Sequence, residues 1–168
     1  NGRSLAEQVQ KLLAGRDRST VPPRDSEFDW RDELLIGVDS MDAEHREILA
    51  LHKQLAKSIR QQQHADVIAS VEALADSIRT HFANEESLMQ SCHYPGLQNH
   101  QEVHQMLLKR IDALRNSALS DQLTETAVGD FLNNWWIDHS EGMDRAYVPY
   151  IHAHAKKATT HEGDDELE

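Results

Sequence analysis

Four long stretches of the chain repeat apolar side chains at the spacing of an amphipathic helix, and this pattern limits the fold more than any other sequence feature. The stretches cover about residues 40–60, 66–90, 97–117 and 121–157. Each is about 20 residues long or longer, the connections between them are short, and no strand pattern competes. The sequence therefore predicts an all-α fold, an up-down-up-down four-helix bundle with an N-terminal extension.

Polar and helix-breaking residues indicate where the predicted helices begin and end. Asp39 or Ser40 can cap the first helix, and Ser120 or Asp121 can cap the fourth, because short polar side chains accept hydrogen bonds from the first backbone amides. The segment Tyr94-Pro95-Gly96 interrupts the pattern between the second and third helices.

The pattern divides the chain into three parts. Residues 1–27 contain a short helix and a polar linker with Pro22-Pro23, residues 28–157 form the bundle, and residues 158–168 are acidic and predict a disordered tail. The first residue is Asn1, which indicates a fragment of a longer protein.

The charge and composition exclude several classes of partner. The formal net charge of −12 argues against binding nucleic acid or an anionic membrane surface, because both need a basic patch. No run of 18 apolar residues is present, so the sequence predicts no membrane contact by this segment. The single Cys92 cannot form an internal disulfide and no signal peptide is visible, which favours a cytoplasmic location.

Histidine is the residue type that points to chemistry, with eleven copies in the chain. Residues four apart on a helix lie roughly 40° apart, so His81 and Glu85 can aim at one point, as can His100 and His104. One such pair is weak evidence, because buried histidines often serve only in packing. Potential ligands nevertheless occur on all four predicted helices: His45, His81, Glu85, His100, His104, His139 and Asp144. Five imidazoles and two carboxylates suit two metal ions.

The fourth helix raises a geometric problem. His139 and Asp144 are five residues apart, which places them roughly 140° apart on a regular helix. A π-helical turn brings such positions to one face, and these turns favour functional sites. We therefore expect an i→i+5 hydrogen bond within residues 137–146.

These motifs together resemble those of the bacterial hemerythrin domains. The resemblance covers about residues 28–157 and includes the lead-in Trp30 to Val38. It continues through MDAEH, HFANEESLM, YPGLQNHQEVH and WWIDHSEGMD, and every ligand position of the family pattern is filled.

The resemblance implies a non-haem pair of iron ions, joined by an oxo or hydroxo bridge, that binds dioxygen. Glu85 and Asp144 would bridge the irons. One iron would take His100, His104 and His139. The other would take His45 and His81 and keep an open position for dioxygen.

Two positions beside His139 depart from the family pattern. Trp136 stands where the family usually has Leu, and Ser140 where it usually has Ile; the resemblance implies that both line the dioxygen pocket. Ser140 could hydrogen-bond the ligand or admit water, which predicts faster autoxidation than is usual in the family. Alternatively, Trp136 only fills the space that the missing Ile leaves.

Four further residues receive structural interpretations. His52 lies on the same stripe as His45 but about 10 Å along the axis, which favours a core or outer-layer role over ligation. Glu86 is interpreted as a surface or outer-layer group, Tyr147 as packing beside the site, and Cys92 as a loop residue that binds no metal.

Several functions remain compatible with such a site. The segment Asn1 to Leu13 resembles the terminal helix of methyl-accepting chemotaxis signalling domains, which favours an oxygen or redox sensor fused to a signalling protein. A stand-alone oxygen carrier or store is an alternative. A di-iron enzyme with peroxidase-like or nitric-oxide-handling activity is another, and a metal-free interaction bundle is a fourth.

Overall fold

The computed structural model describes residues 35–133 and 137–161, with side chains up to residue 157. The predicted N-terminal helix and linker of residues 1–27 lie outside the described residues, as does Trp136. The division of the chain into an extension, a bundle and a tail therefore stays a prediction.

The described residues are helical and contain no strand, as the periodicity predicts. The α-helices are α1 (Asp39–Arg60), α2 (His64–Ser91), α3 (Leu97–Leu119), α4 (Glu125–Phe131), α5 (Ile137–His139) and α6 (Arg145–His161). A π-helical turn, Ser140–Asp144, joins α5 to α6. The last helix thus ends four residues beyond its predicted end at residue 157.

The helices pack in the order in which they follow along the chain. Helix α1 packs on α2 and α2 on α3, while α4 contacts α1 and α3, and α6 contacts α2. Because the loops 61–63, 92–96 and 120–124 are short, neighbouring helices run antiparallel. Helices α4, α5 and α6 together take the place of the predicted fourth helix, so the result is an up-down-up-down four-helix bundle.

The start of α1 differs from the prediction. Its N-cap position is Val38, whose side chain caps nothing, so neither Asp39 nor Ser40 is the cap. Instead, Asp42 reaches back from the first turn, and its carboxylate accepts hydrogen bonds from the amides of Ile36 (2.8 Å) and Gly37 (3.1 Å). The chain enters the bundle tied to α1.

The start of α4 also differs. Its N-cap is Thr124, whose hydroxyl accepts a hydrogen bond from the Ala127 amide at 3.2 Å. The predicted caps belong to the preceding turn, because Ser120 ends α3 and Asp121 takes a left-handed conformation with φ of 57°. The break at Tyr94-Pro95-Gly96 is confirmed, since α2 ends before it and α3 begins after it.

Two apolar clusters close the bundle on either side of a polar layer. The larger cluster, which includes Leu55, Ile78 and Leu107, fills the half of the bundle near the α1–α2 loop. A smaller cluster of Ile36, Met41, Met89 and Tyr147 fills the other end. Each fully buried apolar side chain contributes about 1.5–3 kcal/mol to folding. This packing offsets the cost of the buried polar layer and keeps water away from it.

Candidate metal centre

The polar layer between the two apolar clusters consists of two adjoining groups of potential ligands. The side chains in each group are buried and bring one ligand atom each to within 4.8 Å of the others. The first group is Glu85, His100, His104 and His139, and the second is His45, His81 and Asp144. The structure therefore brings together all seven side chains that the sequence singles out.

The first group converges on a point between α2, α3 and α5. The Oε2 atom of Glu85 lies 3.0 Å from Nε2 of His104 and 3.4 Å from Nε2 of His100. The Nε2 atoms of His104 and His139 are 3.1 Å apart. Two nitrogens bound about 2.1 Å from one ion at a right angle are about 3 Å apart, so this spacing is that of neighbouring metal ligands.

The second group has the same spacing. The Nε2 atoms of His45 and His81 are 3.2 Å apart. Asp144 adjoins both groups, because its Oδ2 lies 3.6 Å from His45, while its Oδ1 lies 3.3 Å from His100 and 3.1 Å from His139. A carboxylate with one oxygen toward each group has the arrangement of a bridging ligand.

The π-helical turn makes the position of Asp144 possible. In a regular helix Asp144 would point away from the face that carries His139. The turn Ser140–Asp144 adds one residue to a helical turn and returns Asp144 to that face. The prediction of an i→i+5 pattern in this stretch is confirmed.

Several polar atoms in the layer have no hydrogen-bond partner among the described residues. They include Oε2 of Glu85, Nε2 of His100 and both carboxylate oxygens of Asp144. An unsatisfied buried polar group costs about 1–3 kcal/mol, and more if it is charged. Metal ions would satisfy these atoms together, and the mixture of imidazole and carboxylate donors suits iron. The residues present fit two iron ions.

Two further carboxylates hold the outward nitrogens of the histidines. Nδ1 of His81 donates to Oε2 of Glu44 at 2.7 Å, and Nδ1 of His104 donates to Oε1 of Glu86 at 2.7 Å. Because an ionised carboxylate only accepts, each Nδ1 carries the proton and each Nε2 keeps its lone pair for a metal. Asn84 also donates to Glu44, at 2.7 Å. Glu86 is thus an outer-layer group, one of its two predicted alternatives.

Sequence reasoning missed Glu44. The only sequence signals for Glu44 were its position directly before His45 and the position of Asn84 directly before Glu85. Neither position reveals which residue on the facing helix Glu44 contacts, because that depends on how α1 and α2 are aligned along their axes.

Tyr147 does more than pack beside the site. Its buried hydroxyl donates a hydrogen bond of 2.6 Å to Oε1 of Glu85. Burial raises the pKa of Tyr147, so the phenol keeps its proton and acts as a donor. Glu85 therefore presents Oε2 to the histidines and Oε1 to Tyr147.

Burial and the two carboxylates split the pKa values of the histidines. Burial lowers the pKa of His45 to about 4, and the neighbouring His81 adds to this effect. Burial also opposes protonation of His100, but Asp144 and Glu85 outweigh it and raise its pKa to about 9. Without metal the layer binds protons in place of metal ions, so metal ions and protons compete for it.

The remaining predicted residues have mixed outcomes. Ser140 is buried in the π-helical turn, 2% exposed, with Oγ 3.5 Å from Nδ1 of His45. His52 is buried, outside both ligand groups, as its interpretation requires. Cys92 is also outside them and its thiol contacts the carbonyl of Met89. No helix in the described part of the chain is long and apolar enough to cross a membrane.

Comparisons with known proteins find a family profile and relatives that match most of the chain. The profile of the family described as Hemerythrin HHE cation binding domain matches residues 36–151. A bacteriohemerythrin of Stenotrophomonas maltophilia is 31% identical over 125 residues, which cover 74% of this chain and 82% of that protein. A myohemerythrin of Riftia pachyptila is 31% identical over 125 residues, covering 73% of this chain and 92% of that protein.

The fold has a counterpart among solved structures. A crystal structure of wild-type hemerythrin superimposes with a TM-score of 0.69 at 20% identity. The superposition covers 75% of this chain and 98% of the other.

Proposed function

We propose that each of the two ligand groups holds one iron ion, because this chain belongs to the hemerythrin family of non-haem di-iron, dioxygen-binding domains. The three histidines of the first group would complete one iron. The two histidines of the second group would leave the other iron an open position, and the carboxylates would bridge the ions. The ligands are His100, His104 and His139 on one side, His45 and His81 on the other, and Glu85 and Asp144 between them. The convergence of these seven side chains in a buried layer carries the proposal.

Iron ions held by these ligands would supply the electrons that dioxygen takes up, and the side chains supply the environment. Glu44 and Glu86 fix the rings of His81 and His104 with their Nε2 atoms inward. Tyr147 holds Glu85 by its second oxygen. The two apolar clusters exclude water, which favours reversible binding over loss of superoxide.

Ser140 is proposed to border the dioxygen pocket. Its buried hydroxyl near His45 supports this assignment, because His45 belongs to the iron with the open position. Trp136, the other predicted pocket residue, lies outside the described residues and keeps that proposed role on the family resemblance alone.

Iron content and the visible spectrum test the site. We expect two irons per chain in the wild type, and charge-transfer bands when the anaerobically reduced protein meets air. His45→Ala should lose the iron with the open position, and those bands with it. His52→Gln is the matched control, since it changes another buried histidine of α1 outside the ligand groups. An iron-free wild type, or equal effects of both substitutions, would contradict the assignment.

We further propose that the domain senses oxygen or redox state for a fused chemotaxis signalling protein. The resemblance of Asn1 to Leu13 to chemotaxis signalling domains supports the fusion. A contact path from the site to the entering chain supports signal transduction: Tyr147 bonds Glu85 and packs in one cluster with Ile36. The Ile36 amide is in turn held by Asp42, one turn before His45.

Amide hydrogen exchange tests this coupling. The peptide of residues 35–42 should exchange at different rates in the diferrous and diferric proteins, because a shift of Glu85 would reach Ile36 through Tyr147. Asp42→Asn should remove most of the difference by loosening the Ile36 amide. Equal exchange in both iron states of the wild type would contradict a sensory role and leave dioxygen binding untouched.

A further inference from the structure

The three tyrosines of the chain form a series of ring contacts from the buried site to the surface. The sequence contains only three tyrosines. Tyr147 is fully buried at the site, Tyr94 is half-buried in the α2–α3 loop, and Tyr150 is 41% exposed on α6. Aromatic packing alone does not require phenols at all three positions.

The rings follow one another at short distances. Tyr147 bonds Glu85, and its ring centroid lies 5.8 Å from that of His100. The centroids of Tyr147 and Tyr94 are 6.2 Å apart, and those of Tyr94 and Tyr150 are 5.2 Å apart. Both tyrosine pairs meet edge to face. Tyr94 therefore joins the buried ring to the exposed one.

The loop is built to make room for the middle ring. A Cβ atom at Gly96 would lie 2.6 Å from both Cζ and the hydroxyl oxygen of Tyr94. The φ of Gly96 is −87°, which any residue can adopt, so the backbone does not require glycine there. Gly96 thus provides space in which the Tyr94 ring can lie between the other two.

We propose, on the basis of the di-iron function above, that Tyr147, Tyr94 and Tyr150 form a one-electron relay that carries oxidising equivalents from the site to the surface. The oxidant is hydrogen peroxide. One peroxide reduced to two waters takes up two electrons and two protons. Two tyrosines supply them, because each releases one electron and one proton. Oxidised Tyr150 side chains of two chains then couple through a new carbon–carbon bond, which forms dityrosine.

Each step has a place for its electron and its proton. Electron transfer slows roughly exponentially with distance, and the centroids of the neighbouring rings are only 6.2 and 5.2 Å apart, so each transfer between them is fast. When Tyr147 loses an electron, its phenolic proton can move along the 2.6 Å hydrogen bond to Glu85. Tyr147 takes that proton back when it draws an electron from Tyr94. Tyr94 is half-buried and Tyr150 is exposed, so each of them can release its proton to water.

Peroxide treatment of the full chain tests the relay. We expect the iron-loaded protein to form dityrosine-linked dimers, detected by fluorescence and by a doubled mass on a denaturing gel, with the link at Tyr150 by peptide mapping. Zinc-loaded protein is the control, because zinc fits the same ligands but cannot change oxidation state. Equal dimer formation with zinc would overturn the relay, as would oxidation that maps away from Tyr150.

Substitutions separate the relay from simple exposure of Tyr150. Tyr94→Phe should keep both irons and the visible spectrum but lose most of the dimer, because the middle phenol is gone. Gly96→Ala should reduce the yield by displacing the Tyr94 ring, and Tyr150→Phe should abolish the dimer. Undiminished dimers in Tyr94→Phe with iron bound would refute the relay alone. A wild type that binds no iron would refute the proposed function together with it.

Discussion

Weakening the contact between Glu44 and His81 should lower the affinity for the iron at His45 and His81 more than the affinity for the other iron. Glu44 accepts hydrogen bonds of 2.7 Å from His81 and from Asn84. Burial raises the pKa of Glu44, but these two donors outweigh it, so the group is ionised at neutral pH. Glu44→Gln retains an oxygen for His81 and removes the charge.

The size of the effect follows from the type of bond lost. A hydrogen bond to a charged group contributes about 1.5–3 kcal/mol and a neutral one about 0.5–1.5 kcal/mol, so the substitution costs somewhat more than 1 kcal/mol. Because Glu44 is 25% exposed, solvent screening reduces this to about 1 kcal/mol. That corresponds to about fivefold weaker iron binding. Glu44→Ala removes the acceptor altogether and should cost about 10–100-fold.

Anaerobic titration of ferrous iron against a chelator measures both binding steps. We expect both Glu44→Gln and Glu44→Ala to weaken binding of the ion at His45 and His81, and Glu44→Ala to have the larger effect. Glu47→Gln is the matched control, because Glu47 is an exposed carboxylate on the same helix, one turn away. If Glu44→Ala binds iron as tightly as Glu47→Gln, the orientation of His81 does not depend on Glu44 and the reasoning fails.

Three further substitutions have expected outcomes. Burial lowers the pKa of His52 to about 4, so its neutral form is favoured by folding; that stability is present above about pH 6.5 and is lost as the pH falls toward 4. When the pH falls from about 7.5 to about 5, the unfolding free energy of the wild type, measured in urea, should therefore drop by about 2 kcal/mol more than that of His52→Leu. Equal drops in the two proteins would contradict the assignment. Tyr147→Phe leaves Oε1 of buried Glu85 without its donor and should lower the unfolding free energy of the metal-free protein by about 2 kcal/mol; an unchanged melting curve would argue against this bond. Ser140→Ile removes a hydroxyl beside His45 and should slow the decay of the oxygenated spectrum, whereas an unchanged decay would exclude Ser140 as its cause.

The sequence predicts the helices better than their ends. Apolar periodicity is a property of 20 residues at once, so it located the three regular helices to within a few positions. A cap depends on one side chain, and the segment from Ser120 to Thr124 offers three candidates. The structure selects Thr124 because Ser120 and Asp121 are used to turn the chain after α3.

The candidate site divides in the same way. Spacing along one helix could pair His81 with Glu85 and His100 with His104, because residues four apart share a face. His45, His139 and Asp144 could be found as donors on the remaining predicted helices and through the family resemblance. The bond from Glu44 to His81 could not, because it joins two helices whose relative alignment no spacing records. The hydroxyl of Tyr147 was missed as a donor for a similar reason, since its partner Glu85 lies 62 positions earlier in the chain.

The π-helical turn also sets the phase of everything that follows it. Its extra residue rotates α6 by roughly 100° relative to an uninterrupted helix. Tyr147 and Ile151 therefore pack inward beside Met89, where an unbroken count from His139 would have turned other side chains. Deleting a single residue from Ser140–Asp144 would restore an ordinary helix and at once misdirect a ligand, its hydrogen-bonded phenol and the packing beyond them.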